Sequence, residues 1–211
     1  MAENESNQFK YWRRLPHIQP EDSYLFITFR INHSLPKSMQ EKINSYQSDL
    51  EKKIAEGPNY RNIIQKKVYG LYDELLAKCN SPTINLTDIP FGNIIMKQIE
   101  IMNHDYIRLI CSTIMPNHVH ILFKPLKSEN EEPYKMSDIM HMLKMKTAKE
   151  INFRLGRKGR FWQREYFDYC VRNDVEMQNI INYIMMNPVK AGLVKEPELW
   201  KWSWLRQDIE E

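Results

Sequence analysis

The sequence predicts an α+β fold: a four-stranded antiparallel sheet in split βαβ order, an α-helical insertion after strand 1, and an extra C-terminal helix. Three observations lead there. Runs rich in aromatic and β-branched residues recur at 24–31, 106–115, 118–124 and 167–171. Stretches with apolar residues at helical spacing fall between and after them. The tight Pro116-Asn117 turn joins the two middle strands into a hairpin, which is what splits the βαβ unit.

In chain order, residues 24–31 (Tyr-Leu-Phe-Ile-Thr-Phe-Arg-Ile) form the first strand, a central one. Arg13 and Arg14 precede it and either reach a ligand or are simply solvated. Residues 38–80 read as two helices broken at Gly57-Pro58. The first is polar, and the second carries Ile63, Ile64, Val68, Leu71, Leu75 and Leu76 at helical spacing. Together they make a helical insertion at about 38–80 in one domain spanning 1–211. Thr87 or Asp88 caps the next helix, with Pro90 in its first turn and Ile94, Ile95, Ile99 and Met102 on its buried side. The hairpin follows. After a polar loop, Ser137 caps a long helix that runs to about Leu155, with Ile139, Leu143, Thr147, Ile151 and Leu155 on its core stripe. A fourth strand and a helix capped by Asn173 or Asp174 complete the order, and Pro188 ends that helix. The whole is a ferredoxin-like arrangement with one extra helix.

The bulk properties exclude several classes. With 42% hydrophobic and 27% charged residues, the chain is long enough to bury a real core. No apolar run approaches the roughly 20 residues that cross a bilayer. The polar, acidic start predicts neither a signal nor a transit peptide. Cys79, Cys111 and Cys170 are isolated, which argues against a disulfide framework or a zinc knuckle and for a cytoplasmic protein. Net charge is only +3, but from 141 to 172 there are nine Lys or Arg against three acids. Lys144, Lys146, Arg154, Arg160 and Arg164, with Trp162 and its aromatic neighbours, suit a phosphate backbone and stacked bases. A solvated helix face would use the same charges.

The chemistry concentrates at His118-Val119-His120. In a strand these imidazoles share a face and lie about 6–7 Å apart, within reach of one divalent metal. Packed histidines would fit the same short pattern. Tyr183 and Asn187, four apart on the last helix, face one way. A tyrosine beside such a pair can attack a phosphodiester and hold it as a phosphotyrosine. The metal would polarise the phosphate, with Asn187 able to supply a third ligand.

With these residues in place the chain resembles the single-tyrosine HUH transposases of bacterial insertion sequences, and among them the REP-associated tyrosine transposases. The likeness rests on Phe26-Ile27-Thr28-Phe29-Arg30, Met115-Pro116-Asn117-His118-Val119-His120, Phe161-Trp162-Gln163-Arg164-Glu165-Tyr166 and the stretch from Tyr183 through Asn187-Pro188-Val189 to Val194. It implies His118 and His120 as metal ligands, Tyr183 as nucleophile and Mg²⁺ or Mn²⁺ as cofactor. It further implies cleavage of single-stranded DNA near REP-like hairpins or palindromes, leaving a 5′-phosphotyrosine and a free 3′-OH, by a monomer or a homodimer. Insertion-sequence enzymes generally carry Gln where this chain has Asn187, the residue of the REP-associated branch. The alternatives are a catalytically idle, sequence-specific DNA-binding protein derived from such an enzyme, a small-molecule metal hydrolase, and a rolling-circle initiator or relaxase. The hydrolase would want a third His or a carboxylate near the pair.

Overall fold

A computed structural model describes residues 9–12, 16–20, 22–39, 41, 45, 70, 74–76 and 84–207. A small hairpin, β1 (Phe9–Trp12) and β2 (Pro16–Gln19), precedes the main sheet. That sheet is antiparallel, in the order β6-β3-β5-β4-β7. Its strands are β3 (Leu25–Arg30), β4 (Ile107–Ile114), β5 (His118–Pro125), β6 (Phe167–Cys170) and β7 (Ser203–Leu205). The helices are α1 (Ile89–Met102), α2 (Met136–Arg154) and α3 (Asp174–Lys190). The split βαβ order is therefore present. Of the stretch from 38 to 80, the described residues are helical, and the rest of the expected insertion lies outside the described residues.

Side chains alternate across the sheet and so supply two cores. On one face Leu25, Ile27, Phe29, Val119, Ile121 and Phe123 pack against α1 and α2. On the other, Phe26, Leu122, Phe167 and Tyr169 meet Ile181 and Ile184 of α3. A register shift between Leu109 and Cys111 lets Ile110 and Cys111 both join the α3 side. Gly92 of α1 is needed for close approach, since a Cβ there would lie 2.4 Å from the Trp202 ring. Gly192, with φ +70°, makes the left-handed turn after α3.

Four expectations need correction. The sheet has a fifth strand: Ile114 N–H donates to the Trp202 carbonyl and Trp200 Nε1 to the Ile114 carbonyl, so β7 covers the β4 edge. Ser137 does not cap α2, because it already lies inside the helix. The Met136 N–H is satisfied instead by Gln19 Oε1, 2.7 Å away. Pro188 does not end α3, which continues to Lys190. In the last turn proline forfeits only the bond to the Ile184 carbonyl. Leu155 lies past the end of α2 and is exposed.

Candidate active site

The strand period puts His118 and His120 on the α3 face of β5, and both are buried. β3 lies alongside in register, with Thr28 opposite His120 and Arg30 opposite His118. Each ring uses its Nδ1 outward. His118 Nδ1 is 2.5 Å from Asn117 Oδ1, and His120 Nδ1 is 2.7 Å from Thr28 Oγ1. The two Nε2 atoms consequently face each other, 3.0 Å apart. Asn187, buried on α3, sets its Nδ2 3.2 Å from His120 Nε2. A half-turn of that amide presents Oδ1 to the same point.

This donor set fits a small divalent cation. Bonds of about 2.1 Å meeting at right angles put two nitrogens about 3.0 Å apart. Among the described residues no cluster of three His, Cys, Asp or Glu side chains forms, and the polar arm that lies beside the two imidazoles is the Asn187 amide.

Tyr183 is half-buried beside this point. Its ring centroid is 5.7 Å from that of His120 and 6.0 Å from that of Phe26, and Lys190 Nζ lies 5.2 Å from it. The helix period that puts Asn187 one turn beyond Tyr183 aims both at the histidines. Tyr183 also borders a cavity of about 230 Å³ walled by Phe26, Phe167, Tyr169 and Ile180. Besides Ile181 and Ile184 in the core, α3 is tied down at its N-terminus. Asn173 Oδ1 accepts from the Glu176 N–H, and Tyr169 Oη on β6 donates 2.9 Å bonds to the Glu176 carboxylate, which also pairs with Arg172. Burial first, and Glu176 second, push the Tyr169 phenol up to about 12.

The expected DNA-binding residues divide. Arg13 and Arg14 fall between β1 and β2, outside the described residues. Lys146, Arg154, Arg160 and Arg164 are exposed. Lys144 is half-buried, and its ammonium donates to the Gln163 and Arg164 carbonyls at 2.7 and 2.9 Å. Trp162 is 3% exposed and donates Nε1–H to Thr147 Oγ1, while Phe161 and Tyr166 are buried with it. A base cannot stack on Trp162 in this fold, so its part is core packing. Arg30 went unremarked as a site residue, yet its side chain is buried on the face of His118. Register with the histidine strand is the signal that finds it.

A split βαβ sheet with paired imidazoles, a tyrosine and an amide on one face defines a class. Over residues 92–187, a span that holds all four side chains, the chain matches the family model of IS200-like transposases. Within that class the likeness is to the REP-associated tyrosine transposases. The chain is 26% identical over 101 residues to a Haemophilus influenzae protein classed with them, and 24% identical over 96 residues to one from Escherichia coli. Each match takes 46% of this chain and 57% and 53% of the relatives, so the chain spans about half the length of the curated relatives it matches. A solved REP-associated tyrosine transposase bound to a REP hairpin shares the fold. Its TM-score is 0.52 at 15% identity, over 96% of this chain and 82% of that one.

Proposed function

We propose that this protein is a metal-dependent DNA-strand transferase. It cleaves and rejoins single-stranded DNA at hairpin-forming palindromes through a 5′-phosphotyrosine, as the HUH-type single-tyrosine transposases do. The observation that most supports this is the convergence of two imidazole Nε2 atoms, the Asn187 amide and the Tyr183 ring at one point. The match over residues 92–187 favours the same assignment.

His118 and His120, with Asn187 as third arm, would hold Mg²⁺ or Mn²⁺, and the two nitrogens suit the softer Mn²⁺ better. Such an ion would polarise the scissile phosphate and neutralise charge developing on its oxygens. Tyr183 Oη attacks phosphorus in line: the Oη–P bond forms as the bond from phosphorus to the 3′ oxygen breaks. The phenol proton leaves to solvent, and the departing 3′ oxygen takes one up. The 5′ end stays on Tyr183 with its bond energy conserved, so a 3′-OH can reverse the step and join a strand. Lys190, over the ring, places positive charge where the phosphate arrives.

The solved relative bound to a REP hairpin favours a hairpin as the ligand here too. Lys146, Arg154, Arg160 and Arg164 are the exposed cations to track its phosphates, and Arg13 and Arg14 are added by sequence. Such an enzyme acts where DNA lies open to it, in the cytoplasm, as a monomer or a homodimer. The test is incubation with 3′-labelled single-stranded hairpin DNA and Mn²⁺, read on a denaturing protein gel, because the fragment on the 3′ side of the cut is the one Tyr183 keeps. A labelled band lost in Tyr183→Phe and in His120→Ala is expected. Tight binding with no band would leave the catalytically idle DNA-binding protein instead.

A further inference from the structure

We propose that Asn117 is a positioning residue for this centre, and that the helical segment at Leu76, through its carbonyl, sets the ring proton of His118. The inference rests on the metal-site assignment above. It begins from an unequal treatment of the two histidines. Asn117 is 2% exposed, and its Nδ2 donates a 3.0 Å hydrogen bond to the Leu76 carbonyl, 41 residues earlier. A carbonyl oxygen can only accept, so the Asn117 atom facing it is the amide nitrogen. Its other atom, Oδ1, therefore faces His118 Nδ1, and it too can only accept. His118 is thus held with its proton on Nδ1 and a lone pair on Nε2, the form a metal requires.

His120 is not fixed in this way. Its Nδ1 meets the Thr28 hydroxyl, which can donate or accept. Asn187 Nδ2, 3.2 Å from His120 Nε2, can only donate, so the lone pair on that nitrogen is set by the Asn187 amide within the site and not by an acceptor behind the ring. A cation held by both rings would need both Nε2 lone pairs, with the Asn187 amide turned to offer Oδ1 and the His120 Nδ1 proton donated to Thr28. One ligand is set from behind by Asn117 and its neighbour from within the site by Asn187.

Asparagine at 117 is not demanded by the turn itself. Asn117 is not among the described residues with positive φ, which other than glycine are Asp22, His33, His104 and Glu131. Its side chain is placed by what lies behind it. Leu75 and Leu76 are buried with Leu35, and Met39 packs against them, so this small cluster fixes where the Leu76 carbonyl lies. The segment that carries Leu76 therefore reaches the site through the Asn117 amide.

The experiment uses the full chain labelled with ¹⁵N-histidine. Two-bond ¹H–¹⁵N correlations in the metal-free protein should show His118 as the Nδ1–H tautomer. Asn117→Ala should lose that preference and weaken Mn²⁺ binding about 10–100-fold, measured by loss of the free-ion electron paramagnetic resonance signal. Asn117→Asp, which still accepts from Nδ1–H but no longer donates to the Leu76 carbonyl, should keep the tautomer and recover only part of the affinity. An Nε2–H tautomer for His118 in the wild-type protein would overturn the proposal without any variant. So would an Asn117→Ala protein with wild-type tautomer and affinity, or an aspartate variant no better than alanine. A wild-type protein with the stated tautomer that binds no Mn²⁺ would overturn the metal-dependent function and leave the hydrogen-bond relay standing.

Discussion

The two faces of the sheet are built from alternate residues of the same strands, yet they do different work. Toward α1 and α2 the strands send Leu25, Ile27, Phe29, Val119 and Ile121 into a large apolar core. Toward α3 the same strands send Phe26, Thr28, Arg30, His118 and His120, and only a small apolar cluster surrounds them. Buried polar groups need partners, and here Asn117, Thr28 and Asn187 supply them. The difference teaches that one face can be spent on stability so that the other can hold chemistry.

A paired experiment would break this division most directly. Tyr183→Phe keeps the ring contacts with His120 and Phe26, so it should abolish covalent DNA attachment while changing unfolding free energy little. Ile95→Ala on the opposite face removes a fully buried side chain. It should cost about 2–5 kcal/mol and leave attachment intact in the folded fraction. Urea unfolding and the labelling gel, run on both variants, measure the two quantities. Attachment lost in Ile95→Ala at full folding would show that the faces are coupled.

A subtler comparison sets the anchored end of α3 against the end that carries Tyr183 and Asn187. The Tyr169 phenol, normally near 10, is raised to about 12 beside Glu176. Because the fold favours the neutral phenol, this contribution is whole below pH 10 and is lost as pH rises from 10 to 12. Tyr169→Phe should flatten the fall in stability across that window. It should also cost about 1.5–3 kcal/mol at neutral pH for the lost hydrogen bond to a charged group. Denaturant titrations at stepped pH would check it, and an unchanged slope would mean that other groups govern alkaline unfolding.

What the sequence made legible follows from distance along the chain. The histidine pair needs only the period of two, and the Tyr183–Asn187 pair only the helical period, so each was readable locally; that they meet follows from the split βαβ order. Their supports were not readable, because Thr28 lies 92 residues from His120 and Leu76 lies 41 from Asn117. The α2 cap was missed for the same reason: Gln19 acts across 117 residues. Trp162 was misread because aromatics among basic residues look alike whether they stack on bases or fill a core. Its indole N–H, donated to Thr147, decides for the core.

That misreading yields the smallest and sharpest prediction, which concerns cations on one basic segment. Arg154 is exposed, and neutralising it should reduce the slope of log binding constant against log salt by about 0.7 for a single strand or 0.9 for a duplex stem. Lys144 carries the same charge but spends it on the carbonyls of Gln163 and Arg164. Lys144→Gln should therefore leave the salt slope nearly unchanged and lower thermal stability instead, by loosening the segment that carries Trp162. Arg154→Gln should do the reverse. Fluorescence anisotropy of a labelled hairpin over a salt series, with thermal melts of both variants, separates the outcomes. Equal slopes for the two would mean that Lys144 leaves its carbonyls when DNA binds, and the basic segment would then act as one surface.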